Sequence, residues 1–126
     1  MKVCVTSTGE GLEAMVDPRF GRCAVFMIVE TETLDFSAMR NASASASGGA
    51  GVQAAQIVAR TGCGAVITGS VGPNAYTILS EAGVKIATGA AGRVIDAVRA
   101  FKEGRLEIAS APTSEAHGGM RGRGGE

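Results

Sequence analysis

The sequence predicts an α/β domain in which helices alternate with the strands of a parallel sheet. Between Gly48 and Gly89, segments whose apolar residues follow helical spacing alternate with short apolar runs, and a glycine stands at nearly every junction. Short apolar runs that are rich in β-branched residues and bounded by glycine are typical of strands covered on both faces. Strands joined through helices require right-handed crossovers, which place those strands parallel to one another.

The segment before Gly48 is predicted to contribute three strands to the same sheet. Apolar runs indicate strand one over 2–7, strand two over 24–30 and strand three over 34–39. The short turn at 31–33 joins the last two runs, so we expect them to form an antiparallel hairpin.

Two further strands and three helices are predicted after Gly48. The pattern indicates helix one over 50–61, strand four over 64–68, helix two over 73–82, strand five over 84–88 and helix three over 92–103. Pro73 suits the first turn of helix two, where the N–H that proline lacks would have no partner in the helix. Gly83 suits the left-handed position that follows a helix.

The helical and strand patterns end near residue 110. Residues 110–126 contain five glycines and few apolar side chains, a composition that cannot bury a core and is typical of disorder. We therefore expect one ordered domain over 1–109, followed by a disordered glycine-rich tail.

The composition restricts the class of protein. The chain has 126 residues, enough for one domain, and its aromatic content of 4% requires a core of aliphatic side chains. The 12 Lys and Arg residues balance the 12 Asp and Glu residues, so the chain has no general attraction to nucleic acid or to an anionic membrane. No apolar run approaches the ~20 residues of a membrane span, and the N-terminus lacks a secretory signal. We expect a soluble cytoplasmic protein that is a monomer or a weak dimer.

The three cysteines do not form a metal-binding or redox motif by their spacing. Cys4, Cys23 and Cys63 include no C-x-x-C pair, which argues against a zinc ribbon or a thioredoxin-like site. Cys4 and Cys63 adjoin predicted strands and are expected to be buried, reduced thiols. Cys23 is the candidate metal ligand, because a thiolate binds iron, copper and zinc and the neighbouring Arg22 would lower its pKa.

The predicted topology brings several loops to one edge of the sheet. With strand one pointing upward, the loops 8–22, 41–49 and 69–72 and the starts of all three helices lie at the carboxyl edge, where open α/β sheets bind ligands. A helix start presents free N–H groups and partial positive charge, which favour an anion. The candidate binding residues at this edge are Arg19, Arg22, Asn41, Gly48, Gly49, Gly51, Gly72, Pro73, Asn74 and Arg93.

Each candidate also has a purely structural interpretation. The glycines can serve only to make tight turns, and the two asparagines can serve only to cap turns. Arg19 and Arg22 can form ion pairs with Asp17 or Glu13, and Arg93 can be a solvated charge.

Several of these segments resemble the dinitrogenase iron–molybdenum cofactor biosynthesis family, also called the cofactor-carrier or accessory-protein family. The matching segments are Phe20-Gly21-Arg22, 48–56, Gly72-Pro73-Asn74-Ala75, 82–86 and Gly104-Arg105-Leu106, which together span about residues 1–108. The resemblance implies a ribonuclease H-like, three-layer α/β/α fold. Its five-stranded mixed sheet has the order 3-2-1-4-5, with strand 2 antiparallel.

The same resemblance implies what the protein binds. It implies a non-enzymatic protein that binds, delivers or senses iron–sulfur or molybdenum-containing sulfide clusters, with cluster-donor or acceptor proteins as partners. It adds Phe20 and Gly21 to the candidate site and matches Cys23 to a family cysteine. The family likeness includes a small protein that holds a mixed molybdenum–copper sulfide cluster mostly without strong covalent ligands, as backbone N–H groups and arginine would.

The sequence departs from the family pattern at one position and leaves one histidine unassigned. Dedicated carriers often have histidine just before the Phe-Gly pair, where this chain has Arg19, which cannot ligate a metal. The single histidine, His117, lies beside Met120 in the predicted tail. We interpret it as a bystander, with a role as cluster ligand as the alternative.

The sequence leaves two other function classes open. A ribonuclease H-like hydrolase needs carboxylates that converge on adjacent strands, but strand one has none, and Asp17 and Asp96 are isolated. A regulatory module for a nucleotide or another small anion would use the glycines at 48–51. That segment lacks the G-x-x-x-x-G-K-[ST] pattern of a phosphate loop.

Overall fold

A mixed six-stranded sheet with helices on both faces forms the centre of the structure, a computed structural model that describes residues 1–113. The strands are β1 (Lys2–Ser7), β2 (Val25–Glu30), β3 (Phe36–Arg40), β4 (Ala65–Ile67), β5 (Lys85–Thr88) and β6 (Glu107–Ile108). The helices are α1 (Ala50–Thr61), α2 (Pro73–Glu81) and α3 (Val94–Lys102), and a single 3-10 turn covers Phe20–Arg22.

The strand order is β3-β2-β1-β4-β5-β6. The first five positions agree with the expected order, and β2 is antiparallel to both of its neighbours. The expected number of five strands is wrong, because β6 pairs antiparallel with β5 through Ala87 opposite Ile108 and Thr88 opposite Glu107. A strand of two residues is too short to show a period of two, so the sequence pattern does not reveal it.

The two faces of the sheet bury separate apolar cores. Strand β1 contributes to both, since Cys4 faces one core while Val3 and Val5 face the other, as the alternation of a strand requires. The core on the first face lies under α1 and α2 and includes Phe26, Val58, Val66, Leu79 and Ile86. The core on the second face lies under α3 and includes Met27, Val29, Ile67, Val94 and Val98. The sheet and its two helical layers form the three-layer arrangement that was expected.

The parallel strands end at a common edge of the sheet. Strand β1 is parallel to β4, and β4 is parallel to β5, so the loops after Ser7, Ile67 and Thr88 lie at the same edge. Strand β3 runs the same way, because two antiparallel pairings connect it to β1. This carboxyl edge also holds the starts of α1 and α2.

The described chain contains three buried, reduced thiols and no disulfide. Cys4 and Cys63 belong to the core under α1 and α2, which confirms the interpretation of these residues as buried thiols. Burial, with a contribution from the two other thiols, raises the pKa of Cys4 well above its ordinary value. None of the described helices is long and apolar enough to cross a membrane.

The first four residues of the predicted tail, 110–113, belong to the described part of the chain. Thr113 donates its backbone N–H to the carbonyl oxygen of Val71 at 3.0 Å. The rest of that segment, residues 114–126 with His117 and Met120, lies outside the described residues.

Replacing Leu79 by Ala should destabilise the fold, because this side chain is fully buried between α2 and the sheet. The expected loss in the free energy of unfolding is about 2–5 kcal/mol, measured by urea denaturation. The control is Ser80→Ala, one position along on the exposed face of the same helix, which should change stability by less than about 0.5 kcal/mol. Equal losses in the two variants would contradict the assigned core.

Candidate functional site

A cleft of about 470 Å³ opens at the carboxyl edge, between the 3-10 turn and the starts of α1 and α2. It is lined by Arg19, Phe20, Gly21, Arg22, Gly49, Ala50, Gly51, Val52, Ser70, Gly72, Pro73, Asn74 and Ala75. Nine of these are among the thirteen residues that the sequence analysis proposed for the site. The cleft thus brings together the first loop, the glycine-rich start of α1 and the Gly-Pro-Asn-Ala segment.

The 3-10 turn lies directly against the backbone of α1. A Cβ placed on Gly21 would come within 2.8 Å of the Gly51 nitrogen and 2.9 Å of its Cα, which is closer than a side chain can approach. Phe20 anchors the turn from below, since its ring is buried and lies 6.2 Å from the Phe26 ring between centroids. Glycine at position 21 therefore sets how close the first loop comes to the helix start.

Two helix starts present free backbone donors to the cleft. Helix α1 begins after Gly49, whose φ of 71° is the left-handed conformation that glycine adopts readily. The N–H groups of Gly51 and Val52, and those of Asn74 and Ala75 in α2, make no hydrogen bond to any residue within 1–113. Such groups carry the partial positive charge of a helix start and bind anions.

The two arginines of the cleft are held in different ways. Arg19 forms an ion pair with the buried carboxylate of Asp17 at 3.1 Å, which confirms the structural interpretation of that residue. Burial raises the pKa of Asp17, but hydrogen bonds from the Arg19 side chain and N–H outweigh it, so the pKa lies below its ordinary value. Arg22 instead donates from Nη1 to the carbonyl oxygens of Ala44 and Ala46, at 3.1 and 2.7 Å. No carboxylate from residues 1–113 lines the cleft, so its charged lining side chains are the two arginines.

Asn41 supports the cleft from behind. Its Nδ2 donates to the carbonyl oxygens of Gly21 and Cys23, at 3.2 and 2.8 Å, and its Oδ1 accepts the Ser43 N–H at 3.0 Å. These contacts confirm the turn-capping interpretation for Asn41. Asn74 is exposed at the mouth of the cleft, and its side chain makes no hydrogen bond to another described residue.

Cys23 lies behind the 3-10 turn and does not line the cleft. It is fully buried, and its Sγ lies 3.5 Å from the Phe20 carbonyl oxygen and 3.7 Å from Asn41 Nδ2. Burial raises its pKa to about 11. The expectation that Arg22 lowers this pKa is wrong, because the Arg22 guanidinium is bound to the carbonyls of the neighbouring loop.

Arg93 and Gly48 also lie outside the cleft. Arg93 precedes α3 and pairs with Glu13 at 2.6 Å and Asp96 at 3.0 Å. The start of α3 is occupied by the first loop, since Val94 N–H donates to the Ala14 carbonyl and Ile95 N–H donates to the Leu12 carbonyl. The structure therefore places the third helix start, and the third arginine, away from the anion-attracting surface that the sequence predicted.

Four residues that line the cleft were not predicted from the sequence: Ala50, Val52, Ser70 and Ala75. All four adjoin candidate positions, so the glycine-rich segments themselves were the available signal. Ser70 joins the cleft because its N–H donates to the Pro18 carbonyl at 3.2 Å, which holds the loop after β4 against the first loop. Among residues 1–113 no group of three or more His, Cys, Asp or Glu side chains is arranged to hold a metal ion.

Residues 1–104 match the model of the family described as dinitrogenase iron-molybdenum cofactor. The chain belongs to this family. The matched residues include every described element that lines the cleft, from the 3-10 turn to the start of α2.

Two solved structures with 40% and 37% sequence identity to this chain share its fold. The apo form of the orange protein from Desulfovibrio gigas superimposes with a TM-score of 0.86 and 40% identity, over 90% of this chain and 96% of that one. The NMR structure of a putative NifB protein from Thermotoga gives a TM-score of 0.73 and 37% identity, over 85% of this chain and 91% of that one. The uncharacterized protein MJ0580 of Methanocaldococcus jannaschii is 30% identical over 95 residues, which cover 73% of this chain and 80% of that protein.

Replacing Gly21 by Ala should separate the 3-10 turn from α1, because the new Cβ would collide with the Gly51 backbone. The expected loss in the free energy of unfolding, measured by urea denaturation, is about 1–3 kcal/mol. The matched control is Gly51→Ala, on the other side of the same contact. Its Cβ would meet only the Ala75 Cβ at 3.9 Å, so helix propensity should leave stability unchanged or raise it by up to about 1 kcal/mol. A neutral Gly21→Ala variant would contradict the close approach.

The three thiols should resist alkylation in the folded protein. Cys4, Cys23 and Cys63 are buried, and the pKa values of Cys4 and Cys23 are raised, so little reactive thiolate forms at pH 8. Mass spectrometry after iodoacetamide treatment should find the native protein unmodified and the urea-unfolded protein with three adducts. Rapid modification of Cys23 in the native protein would show that its thiol is accessible.

Proposed function

We propose that this protein binds an anionic metal–sulfide cluster in the cleft at the carboxyl edge and acts as its carrier, without catalysing a reaction. The single observation that carries this proposal is the convergence of two unoccupied helix starts with the Arg22 guanidinium in a cleft that no described carboxylate lines. Membership of the dinitrogenase iron-molybdenum cofactor family supports a cluster as the anion. Proteins that donate or accept the cluster are the partners that this role requires.

The chemistry of the cleft favours a molybdenum-containing sulfide cluster over an ordinary iron–sulfur cluster. Iron–sulfur clusters are held by several cysteine thiolates, whereas residues 1–113 place only Cys23 near the cleft, with its thiol buried. Terminal sulfides that carry negative charge can instead accept hydrogen bonds from the N–H groups of α1 and α2 and from Arg22. Cys23 remains a proposed ligand, and a metal contact would require the Phe20–Arg22 turn to move.

The alternative hypothesis is a regulatory module that binds a nucleotide or another small anion in the same cleft. The free N–H groups at 51–52 and 74–75 would also donate hydrogen bonds to a phosphate, although the cleft lacks the lysine of a phosphate loop. A ribonuclease H-like hydrolase receives less support, because no carboxylate of the described residues lies in the cleft to hold catalytic metals. The ribonuclease H-like assignment itself stays a prediction.

Anaerobic reconstitution of the purified protein tests the proposal. One sample receives tetrathiomolybdate with copper(I), and a second receives iron with sulfide. Visible absorption and metal analysis after desalting should find a stoichiometric chromophore retained in the first sample. The Arg22→Ala variant should bind it roughly 10–100-fold more weakly, the effect of losing a charge-assisted hydrogen bond worth about 1.5–3 kcal/mol.

Arg93→Ala is the matched control for this measurement. It removes the same charge, but from an arginine that pairs with Glu13 and Asp96 outside the cleft, so retention should be unchanged. Equal losses in both variants would mean that net charge, not the cleft, governs retention. If neither sample retains metal and a nucleotide raises the melting temperature instead, the small-anion alternative replaces the cluster proposal.

A further inference from the structure

Strand β3 is an edge of the sheet, and within residues 1–113 it pairs only with β2. Two hydrogen bonds fix which of its backbone groups face β2. The Glu30 N–H donates to the Asp35 carbonyl at 2.8 Å, and the Asn41 N–H donates to the Ala24 carbonyl at 3.0 Å. Bonded pairs recur at every second residue of an antiparallel ladder. The odd-numbered residues of this segment therefore bond to β2.

The even-numbered residues of β3, which are Phe36, Ala38 and Arg40, direct their N–H and carbonyl groups outward. None of these groups bonds to a described residue outside the sheet, and Phe36 is 51% exposed. Proteins usually block such an edge with proline, a bulge or a charge in the strand. Strand β3 has no proline, pairs with β2 without a bulge, and carries its one charge, Arg40, at the end. The opposite edge, β6, has only two residues.

The outward groups of β3 are complementary to a second copy of themselves. A closed dimer has a two-fold axis, and an axis perpendicular to the sheet at Ala38 makes the two β3 strands antiparallel. Ala38 then lies opposite Ala38 of the second copy, and each Phe36 lies opposite the other Arg40. All three outward residues of each strand take part, in three pairs with two hydrogen bonds each.

The side chains of these pairs are also compatible. Successive side chains of a strand alternate between faces, so Phe36, Ala38 and Arg40 share one face of the sheet. Residues directly opposite each other have Cβ atoms about 4.5–5.5 Å apart, which brings the Phe36 ring within range of a cation–π contact with the opposing guanidinium. The two Arg40 side chains lie at opposite ends of the ladder, so like charges do not meet.

We propose that a second copy of this chain pairs antiparallel with β3, which joins two six-stranded sheets into one continuous sheet. Arg40 forms no ion pair with a carboxylate of residues 1–113, so its guanidinium is available to the opposing Phe36. A contact limited to one strand of five residues is smaller than the about 1,200 Å² of a stable interface. The dimer should therefore dissociate in the micromolar to millimolar range.

The dimer leaves the cleft open. No residue of β3 lines the cleft, and antiparallel pairing places the carboxyl edges of the two copies at opposite ends of the continuous sheet. This inference does not rest on the proposed cluster-binding function, and either can fail without the other.

Cross-linking through one introduced thiol tests the register. Opposing Cα atoms of a bonded antiparallel pair are about 5.5 Å apart, within the about 4.4–6.8 Å that a disulfide spans. Oxidation of Ala38→Cys should therefore give a disulfide-linked dimer on a non-reducing gel. The three native thiols are buried and should not contribute. The matched control is Ser37→Cys, which is also exposed but lies opposite Met39 of the second copy, and it should stay monomeric. Equal cross-linking of the two variants, or none in Ala38→Cys, would overturn the inference.

Sedimentation velocity tests the pairing without a cross-link. The wild-type mass should rise toward that of two chains as the concentration approaches about 1 mM. Ala38→Pro removes an N–H that β2 does not use, at an edge position that tolerates proline, and urea denaturation verifies that the variant is folded. The loss of two central hydrogen bonds should raise its dissociation constant at least about tenfold.

Ala38→Ser is the matched control for this measurement, because it keeps the N–H and should dimerise like the wild type. A wild-type protein that stays monomeric at every concentration would overturn the inference. So would a folded Ala38→Pro variant that dimerises as tightly as the wild type.

Discussion

The approach of Gly21 to the first turn of α1 is the contact on which the cleft depends. Backbone meets backbone there, with the Gly51 nitrogen 2.8 Å from where a side chain on Gly21 would begin. Asn41 fixes the same turn from behind through the carbonyls of Gly21 and Cys23. Asn41 holds the turn in place, and no side chain separates the turn from the helix. Arg22 and the free N–H groups of α1 therefore line the same cleft.

The three helix starts differ in whether their first N–H groups are available to an anion. At α3, the first loop supplies the carbonyls of Leu12 and Ala14 to the first N–H groups, and Asp96 accepts the N–H of Arg93. No acceptor within residues 1–113 binds the first N–H groups of α1 or α2. The positive charge of two helix starts is therefore left for an external partner, while the third is used to attach the loop to the fold.

The sequence predicted the three helices and the first five strands, but not β6 or the face of the sheet on which each residue lies. Periodicity located α1 to α3 because each has apolar residues at helical spacing on one side, whereas β6 was too short to show a pattern. Strand direction places Arg93 and Arg22 at the same edge. Arg93 nevertheless lies apart from Arg22, because α3 packs on the opposite face of the sheet from α1 and α2. Likewise, the neighbouring Arg22 suggested a lowered pKa for the Cys23 thiol, but burial raises that pKa.

The way Arg22 is held has an entropic consequence for recognition. Its Nη1 alone makes both contacts with the loop, to Ala44 and Ala46, and a guanidinium has five N–H donors, of which Nη1 carries two. The other three donors have no hydrogen-bond partner among residues 1–113, and the two contacts with the loop restrict the rotamers of the side chain. Ordering a free arginine costs up to about 2 kcal/mol, and here that ordering occurs when the protein folds. An arriving anion consequently meets a donor set that is already oriented, and it need not displace the loop to use it.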